Sequence, residues 1–367
     1  MPIFMDRHNV PGIEAKAAAE AHRADMLVQD EFGCRCMTYW VDEERGNAFC
    51  LIDAPNIDAV TKMHDKAHGL VSNEIIQVNS NVVEAFLGRI QDPKGYADNH
   101  DSTLKVFNDP AFRIILVAEI LNPISLQQQL GKDKAKQLLR LYNEIMRNQI
   151  RKNEGREVEA EGEGFIVSFI SVTQAVNCAV AAQKGLHVAG ELLNLRIGLN
   201  AGMPIDKSKD LFGDTVKMAK YLCSLGKENQ IMMASIIREI YKDDGKNNIN
   251  NKNNFKWIDP IDENFLQLLF DTLSTNYQNH QFDVERFGKK MIMSKSKLYR
   301  RCTAITNLSP NALLREFRLL KSLDLLKTGR NISQTTFDCG FNSPSYFTKC
   351  FQKRFGISPL AYLKELS

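Results

Sequence analysis

The pattern of apolar and polar positions divides the chain into regions with different periodicity. Residues 1–78 alternate between stretches typical of strands and stretches typical of amphipathic helices, and an apolar strand pattern recurs at Ile114–Ile120. Residues 283–367 carry the helical period. Two polar stretches, Asp92–Asp109 and Asp243–Asn254, have too few apolar residues to bury a core. The sequence therefore predicts a multidomain chain that is α+β at first and all-α at its end.

The first region predicts six elements in the order β-α-β-β-α-β. Glu43–Asn47 connects two of the strands as a hairpin turn, and Gly69 ends the second helix. This order predicts a ferredoxin-like sandwich. The predicted elements are Ile3–His8, Ile13–Glu31, Cys34–Val41, Ala48–Asp53, Ile57–His68 and Asn73–Val78.

The last region predicts two helix-turn-helix units joined by one long helix. In the first unit, Gly288 is small enough for a second helix to cross closely, and Ser294 caps the helix after the turn. In the second unit, Gly340 permits the turn and Ser343 is the cap. The connecting stretch, Asn311–Lys327, is periodic in leucine and would hold the two units apart rigidly.

The charge of this region differs from that of the rest of the chain. Residues 283–367 contain 16 Lys/Arg against 6 Asp/Glu, a balance of +10. Residues 1–282 contain 31 against 38, a balance of −7, within a chain of net charge +3. One basic module on an acidic remainder is typical of DNA binding, although a solvated basic face is the alternative that charge alone leaves open.

Several motifs of the last region resemble the DNA-binding domain of the AraC/XylS transcription regulators. The resemblance covers the whole region, departs at Thr336, where the family usually has alanine, and implies sequence-specific binding to double-stranded DNA. The motifs are Met293–Arg300, Leu308–Pro310, Gly340–Phe347 and Phe355–Tyr362. Helix position and this resemblance together nominate as base-contacting residues Ser296, Tyr299, Arg300, Ser345, Tyr346 and Lys349.

The first region contains a candidate metal site. His64 and His68 are four residues apart, which places both imidazoles on one helix face. His8 ends the first strand, and Cys50 lies in the middle of a neighbouring strand. Imidazoles with a thiolate suit nickel, zinc or copper, whereas the alternative is surface histidines beside a small core cysteine. His22 is a weaker candidate on its own helix.

Motifs of this first region resemble a family of small bacterial nickel-binding proteins. The resemblance implies a dimeric ferredoxin-like fold and a divalent transition metal, with nickel as the first candidate. It covers the entire region. The motifs are Met5–His8, Glu20–Asp25, Tyr39–Glu44, Phe49–Pro55 and His64–Leu70.

Residues 112–240 resemble a class III nucleotide cyclase homology domain, which implies a cyclase-like α/β fold that is usually dimeric. The resemblance rests on Ile114–Ile120, the hairpin turn Glu161–Phe165, Leu195–Gly202 and Asp210–Leu222. Active members carry two metal-binding aspartates, a purine-binding lysine, and an asparagine and an arginine for the transition state. At these positions this chain has Glu119 and Glu163, Glu159, Lys217 and Tyr221. Because the transition-state groups are replaced, we expect no enzyme activity here.

Composition adds few constraints. The chain has 367 residues, 44% of them hydrophobic and 25% charged, which is typical of a soluble protein. No apolar run approaches the roughly 20 residues of a membrane span. We expect a cytoplasmic protein without a membrane partner, because no signal-peptide pattern is found at the amino terminus and the eight cysteines are scattered.

These inferences combine into a cytoplasmic transcription regulator that is a homodimer, binds DNA and responds to a metal. The cyclase-like domain would dimerise the chain or couple its signals. One alternative is a regulator whose effector is a nucleotide or another organic ligand of the middle domain, and another is an active cyclase tethered to DNA. The expected boundaries are 1–91 for the sandwich, 107–242 for the cyclase-like domain, 243–262 for a polar linker and 263–367 for the DNA-binding domain.

Overall fold

The structure is a computed structural model, and its residues form two compact units. It describes residues 1–94, 104–121, 123–159, 164–189, 193–206, 208–243 and 255–366. The first unit consists of residues 1–119, 145–188 and 196–256, and the second of residues 120–144, 189–195 and 257–367. Within the described residues, no helix combines the length and the apolarity that crossing a membrane requires.

The first unit begins with a four-stranded antiparallel sheet and two helices. Its elements are β1 (Ile3–Asn9), α1 (Ala15–Val28), β2 (Arg35–Asp42), β3 (Asn47–Asp53), α2 (Ile57–Ala67) and β4 (Glu74–Val78). The strand order is β2-β3-β1-β4, with β1 paired to both β3 and β4. This topology confirms the predicted ferredoxin-like sandwich.

A short helix that the sequence pattern did not predict, α3 (Ser80–Leu87), follows the sandwich. Its C-terminal carbonyl groups are satisfied by buried polar side chains from the part of the chain that follows. Arg113 Nε donates to the Phe86 carbonyl oxygen at 3.3 Å, and Ser168 Oγ donates to the same oxygen at 2.8 Å. These hydrogen bonds fix the sandwich to the residues of the middle region in the same compact unit.

The middle region contains a six-stranded sheet of order β10-β9-β8-β5-β7-β6. Its elements are β5 (Arg113–Ile120), α4 (Pro123–Leu130), α5 (Lys132–Lys152), β6 (Arg156–Glu159), β7 (Gly164–Phe169), α6 (Val172–Ala189), β8 (Leu195–Gly202), α7 (Gly213–Leu225), β9 (Ile231–Met233), α8 (Ser235–Asp243) and β10 (Phe255–Trp257). Strands β5 and β7 are antiparallel, whereas β8 and β9 are parallel. This mixed α/β sheet is the predicted cyclase-like architecture.

Two expectations for the middle region meet the structure only in part. The predicted hairpin turn Glu161–Phe165 lies mostly outside the described residues. Strand β10 and the first residues of the next helix fall inside the predicted linker 243–262. Asp259 caps that helix by accepting from the Asp262 amide, with Pro260 at its first position, so regular structure resumes directly after the polar stretch Asp243–Asn254 and before the predicted end of the linker.

The C-terminal part of the second unit is helical. Its elements are α9 (Pro260–Asn276), α10 (Val284–Lys290), α11 (Lys295–Thr306), α12 (Pro310–Lys327), α13 (Ile332–Asp338), α14 (Pro344–Phe355) and α15 (Pro359–Leu366). Ser294 caps α11 and Ser343 caps α14, each by accepting a backbone amide hydrogen bond. Gly340 has a φ of +76° in the second turn. The double helix-turn-helix prediction is confirmed.

The departure at Thr336 is accommodated inside α13. Thr336 is fully buried, and its hydroxyl donates to the Ile332 carbonyl oxygen at 2.7 Å. The extra polar group is therefore satisfied within its own helix.

Candidate metal centre and nucleic-acid interface

Three imidazole rings converge in the sandwich. His8 lies on β1, His64 lies on α2, and His68 follows the last turn of α2. The ring centroids of His8 and His64 are 4.9 Å apart, those of His64 and His68 are 5.3 Å apart, and those of His8 and His68 are 6.2 Å apart. The three histidines that the sequence nominated as ligands are thus neighbours.

Two carboxylates that sequence reasoning missed complete this cluster. His64 Nε2 lies 2.6 Å from Asp6 Oδ2, and His64 Nδ1 lies 2.9 Å from Asp25 Oδ1. Two overlapping sets, Asp6–His8–His64 and Asp25–His64–His68, each bring three ligand atoms within 4.8 Å of one another. Asp6 had a local signal, because it lies two residues before His8 on β1 and its side chain is therefore on the same face of the strand. Asp25 had no such signal.

Burial makes the charges of this cluster interdependent. Asp6 and His64 are fully buried, and Asp25 is 1% exposed. Burial opposes the imidazolium, but the hydrogen bonds to Asp25 and Asp6 outweigh it and raise the pKa of His64 to about 10. Burial likewise opposes the Asp6 carboxylate, yet His8 and His64 hold its pKa well below the usual range. An imidazolium cannot coordinate, so His64 has to lose a ring proton before it can act as a ligand.

Cys50, the fourth nominated ligand, lies beside the cluster and belongs to neither set. It is paired in register with Asp6, and its backbone amide donates to Asp6 Oδ1 at 3.0 Å. Burial, reinforced by the charge of Asp6, raises the pKa of its thiol well above the ordinary value. The role of Cys50 as a ligand stays a prediction.

His22 occupies a separate buried position. Its Nε2 lies 3.7 Å from Asp92 Oδ1, and its ring centroid lies 5.2 Å from that of Tyr39. It is absent from both sets of converging ligand atoms found among the described residues.

The donor set of the cluster fits a late first-row divalent ion. Imidazole nitrogens with carboxylate oxygens are ligands that nickel, copper and zinc all accept. The ion's charge would be offset by Asp6 and Asp25. Such an ion would cross-link β1, α1 and the C-terminal end of α2, which carry these side chains.

The replaced cyclase positions lie around β5 and α7. Glu119 on β5 accepts a charged hydrogen bond from Arg196 Nη2 at 2.9 Å. Lys217 on α7 lies 3.7 Å from Asp214, and Tyr221 stands one helical turn further along. Glu163 and the side chain of Glu159 lie outside what the structure describes.

All six nominated DNA-contacting residues are exposed. Ser296, Tyr299 and Arg300 project from α11, and Ser345, Tyr346 and Lys349 project from α14. The same helices bury Leu298 and Phe347 completely. Each helix therefore has an apolar face toward the core and a polar face that is exposed.

Three parts of the chain match three family models. Residues 4–78 match the nickel responsive protein SCO4226-like model, residues 114–257 the adenylate and guanylate cyclase catalytic domain, and residues 288–365 a helix-turn-helix domain. Each match covers less than half of the chain. The resemblances that the motifs carried are thereby confirmed.

Known proteins are similar to this chain over single parts of it. It is 40% identical over 111 residues to histidine kinase P4 of Formosa agariphila, and the matched part is 30% of this chain and 8% of the kinase. It is 32% identical over 88 residues to the HTH-type transcriptional activator RhaS of Mannheimia succiniciproducens, which covers 24% of this chain and 32% of the activator. The crystal structure of SCO4226 from Streptomyces coelicolor is 32% identical, with a TM-score of 0.20, and the match covers 21% of this chain and 94% of that one. The chain thus spans at most a third of the two curated relatives.

Proposed function

We propose that this chain is a transcription regulator of AraC type that binds double-stranded DNA through α11 and α14. The observation that carries the proposal is the exposure of all six nominated side chains on two capped helices. These two helices belong to two helix-turn-helix units that the long helix α12 joins, and such a pair suits successive major-groove segments on one face of DNA. The balance of +10 in residues 283–367 favours the phosphate backbone.

We propose further that the sandwich binds a divalent transition-metal ion, with nickel as the first candidate. His8, His64 and His68 would hold it together with Asp6 and Asp25. The donor chemistry of the cluster supports this role, as does the match of residues 4–78 to a nickel-responsive family model. In this proposal the ion is the regulator's effector.

The middle domain, in this proposal, has no cyclase activity and serves dimerisation or signal coupling. Glu119, at an aspartate position of active cyclases, is already paired with Arg196. Lys217 and Tyr221 replace the groups that stabilise the transition state. Incubation with ATP or GTP and manganese should give no cyclic product, and turnover that disappears in Glu163→Ala would contradict this assignment. A mass of twice 41.6 kDa in dilute solution would support the homodimer.

The experiment that tests the regulator proposal is a binding selection from a random pool of double-stranded DNA. The full chain is used once with nickel chloride and once with a chelator. We expect one enriched sequence motif whose recovery differs between the two conditions. Failure to enrich any motif in either condition would contradict sequence-specific DNA binding, and equal recovery in both would contradict a metal effector.

A further inference from the structure

The sandwich sheet has a second buried face, opposite its helices, and this face packs against the middle domain of the same compact unit. Met5, Trp40, Phe49 and Leu51 project from it and are fully buried. They belong to one continuous apolar cluster with residues of the middle domain, among them Ile115, Val117, Ile205 and Phe212. The two domains therefore share a core.

Strand β1 lies between this shared core and the metal cluster. Because side chains alternate along a strand, Asp6 and His8 point toward the helices, whereas Met5 and Arg7 point toward the middle domain. Arg7 Nη1 donates to the Ile205 carbonyl oxygen at 3.4 Å, and its Nε donates to Asn47 Oδ1 at 2.9 Å. Any displacement of the ligands on β1 is thus shared with side chains that contact the middle domain.

The segment of the middle domain that Arg7 contacts connects β8 to α7 and contains both Ile205 and Phe212. Phe212, which is fully buried, precedes α7 with a φ of +56°, a region that side chains larger than glycine rarely occupy. Its amide donates to the Pro204 carbonyl oxygen at 2.8 Å, and its ring centroid lies 4.8 Å from that of Phe86. A conformation of this kind persists only where the surroundings enforce it, and here they include Phe86 of α3 and the apolar cluster to which the sandwich sheet contributes.

We infer that the middle domain senses the occupancy of the metal cluster through β1 and the β8–α7 connection. This inference rests on the metal-binding part of the proposed function. An ion that cross-links β1 to α1 and α2 restricts the movement of β1. Since Met5 and Arg7 move with β1, the segment that holds Phe212 opens less often, and α7, which carries Lys217 and Tyr221, is steadied at its first turn.

Hydrogen–deuterium exchange of the full chain, with and without nickel chloride, tests the inference, and calorimetry of the same samples measures nickel binding. We expect nickel to slow amide exchange in residues 208–216 several-fold. Arg7→Ala should keep nickel binding, because Arg7 is outside the ligand set, and should lose most of this slowing. Arg35→Ala, which removes an exposed arginine at the start of β2, should behave as the unaltered chain.

The outcomes separate the inference from the proposed function. Nickel binding with unchanged exchange in residues 208–216 would overturn the inference and leave the metal site standing. Slowing in Arg7→Ala that is as strong as in the unaltered chain would overturn the inference in the same way. Absence of nickel binding would overturn both. Arg7→Lys keeps the charge but replaces the guanidinium, whose Nε and Nη1 reach Asn47 and Ile205 separately, by a single ammonium nitrogen. It is the milder variant if Arg7→Ala does not fold, and an intermediate slowing is then expected.

Discussion

The proposed metal cluster and the helices proposed to contact DNA place their nominated side chains in opposite environments. In the sandwich, His64 and Asp6 are fully buried and bonded to each other. In the helical part of the second unit, α9 to α15, which we call the C-terminal unit, Tyr299 is 56% exposed and Tyr346 is 52% exposed. The side chains of a buried charged cluster stabilise the fold in addition to holding a ligand. Substituting one of them should therefore lower the free energy of unfolding. Exposed side chains such as the nominated DNA contacts can change without harm to the fold, so in our proposal their substitution should affect binding alone.

The largest effect should follow from His64→Ala. This change leaves the Asp6 and Asp25 carboxylates buried without the imidazolium that both contact. We expect a loss of about 3–5 kcal/mol in the free energy of unfolding. Urea unfolding in the presence of a chelator measures it. His280→Ala, which removes an exposed histidine, should change stability by less than about 0.5 kcal/mol. Equal losses of stability in His64→Ala and His280→Ala would contradict a stabilising role of the buried cluster.

Arg300→Ala should alter DNA recognition and leave stability unchanged. If Arg300 contacts a guanine edge with two hydrogen bonds, its loss costs about 1–3 kcal/mol of discrimination at one base pair. Competition binding against single-base variants of the selected site measures this preference. Arg315→Ala removes the same charge from an exposed position on α12 and should keep the preference. A uniform loss on all sequences would instead make Arg300 a phosphate contact.

Ser294→Ala should destabilise the C-terminal unit moderately. The Ser294 hydroxyl accepts the Lys297 amide at 3.3 Å and so caps α11. Loss of such a cap costs about 1 kcal/mol, which chemical denaturation detects. Ser296→Ala, two residues further along the exposed face of α11, should leave stability nearly unchanged. A larger loss of stability in Ser296→Ala than in Ser294→Ala would mean that the cap does not determine where α11 begins.

The smallest expected effect is a gain in stability from Ile292→Asn. Ile292 lies in the first turn, is 92% exposed and has a φ of +53°, which is unfavourable for a β-branched residue. Asparagine tolerates this conformation better, so we expect a gain of up to about 1 kcal/mol. Ile261→Asn, at an exposed position of α9, should give a slight loss, because asparagine is a weaker helix former. A loss at Ile292 would point to a contact made by its side chain.

The C-terminal unit could be predicted almost completely because its signals are local. Ser294 and Ser343 mark where helices begin, and Gly340 marks a turn that requires a positive φ. Each of these signals acts within a few residues of the element that it defines. The sandwich could be predicted as well, since the order of its elements determines the topology of its sheet.

The composition of the metal cluster could be predicted only in part. The four-residue spacing of His64 and His68 is a local signal, and both are neighbours in the structure. Asp6 and Asp25 are 58 and 39 residues away from His64 and reach it through tertiary packing. Cys50 was assigned to the correct neighbouring strand, but the register places it opposite Asp6, with His8 opposite Ala48. Register and packing are set by the whole domain, and the spacing of single residues does not reveal them.

Equilibrium dialysis of the full chain against nickel chloride tests the metal assignment most directly. The variants are His68→Ala, whose side chain is 14% exposed and lies at the rim of the cluster, and His187→Ala, an exposed histidine on α6. We expect the unaltered chain and His187→Ala to retain nickel, whereas His68→Ala should lose it while remaining folded. Equal nickel on all three proteins, or none on the unaltered chain, would contradict the assignment.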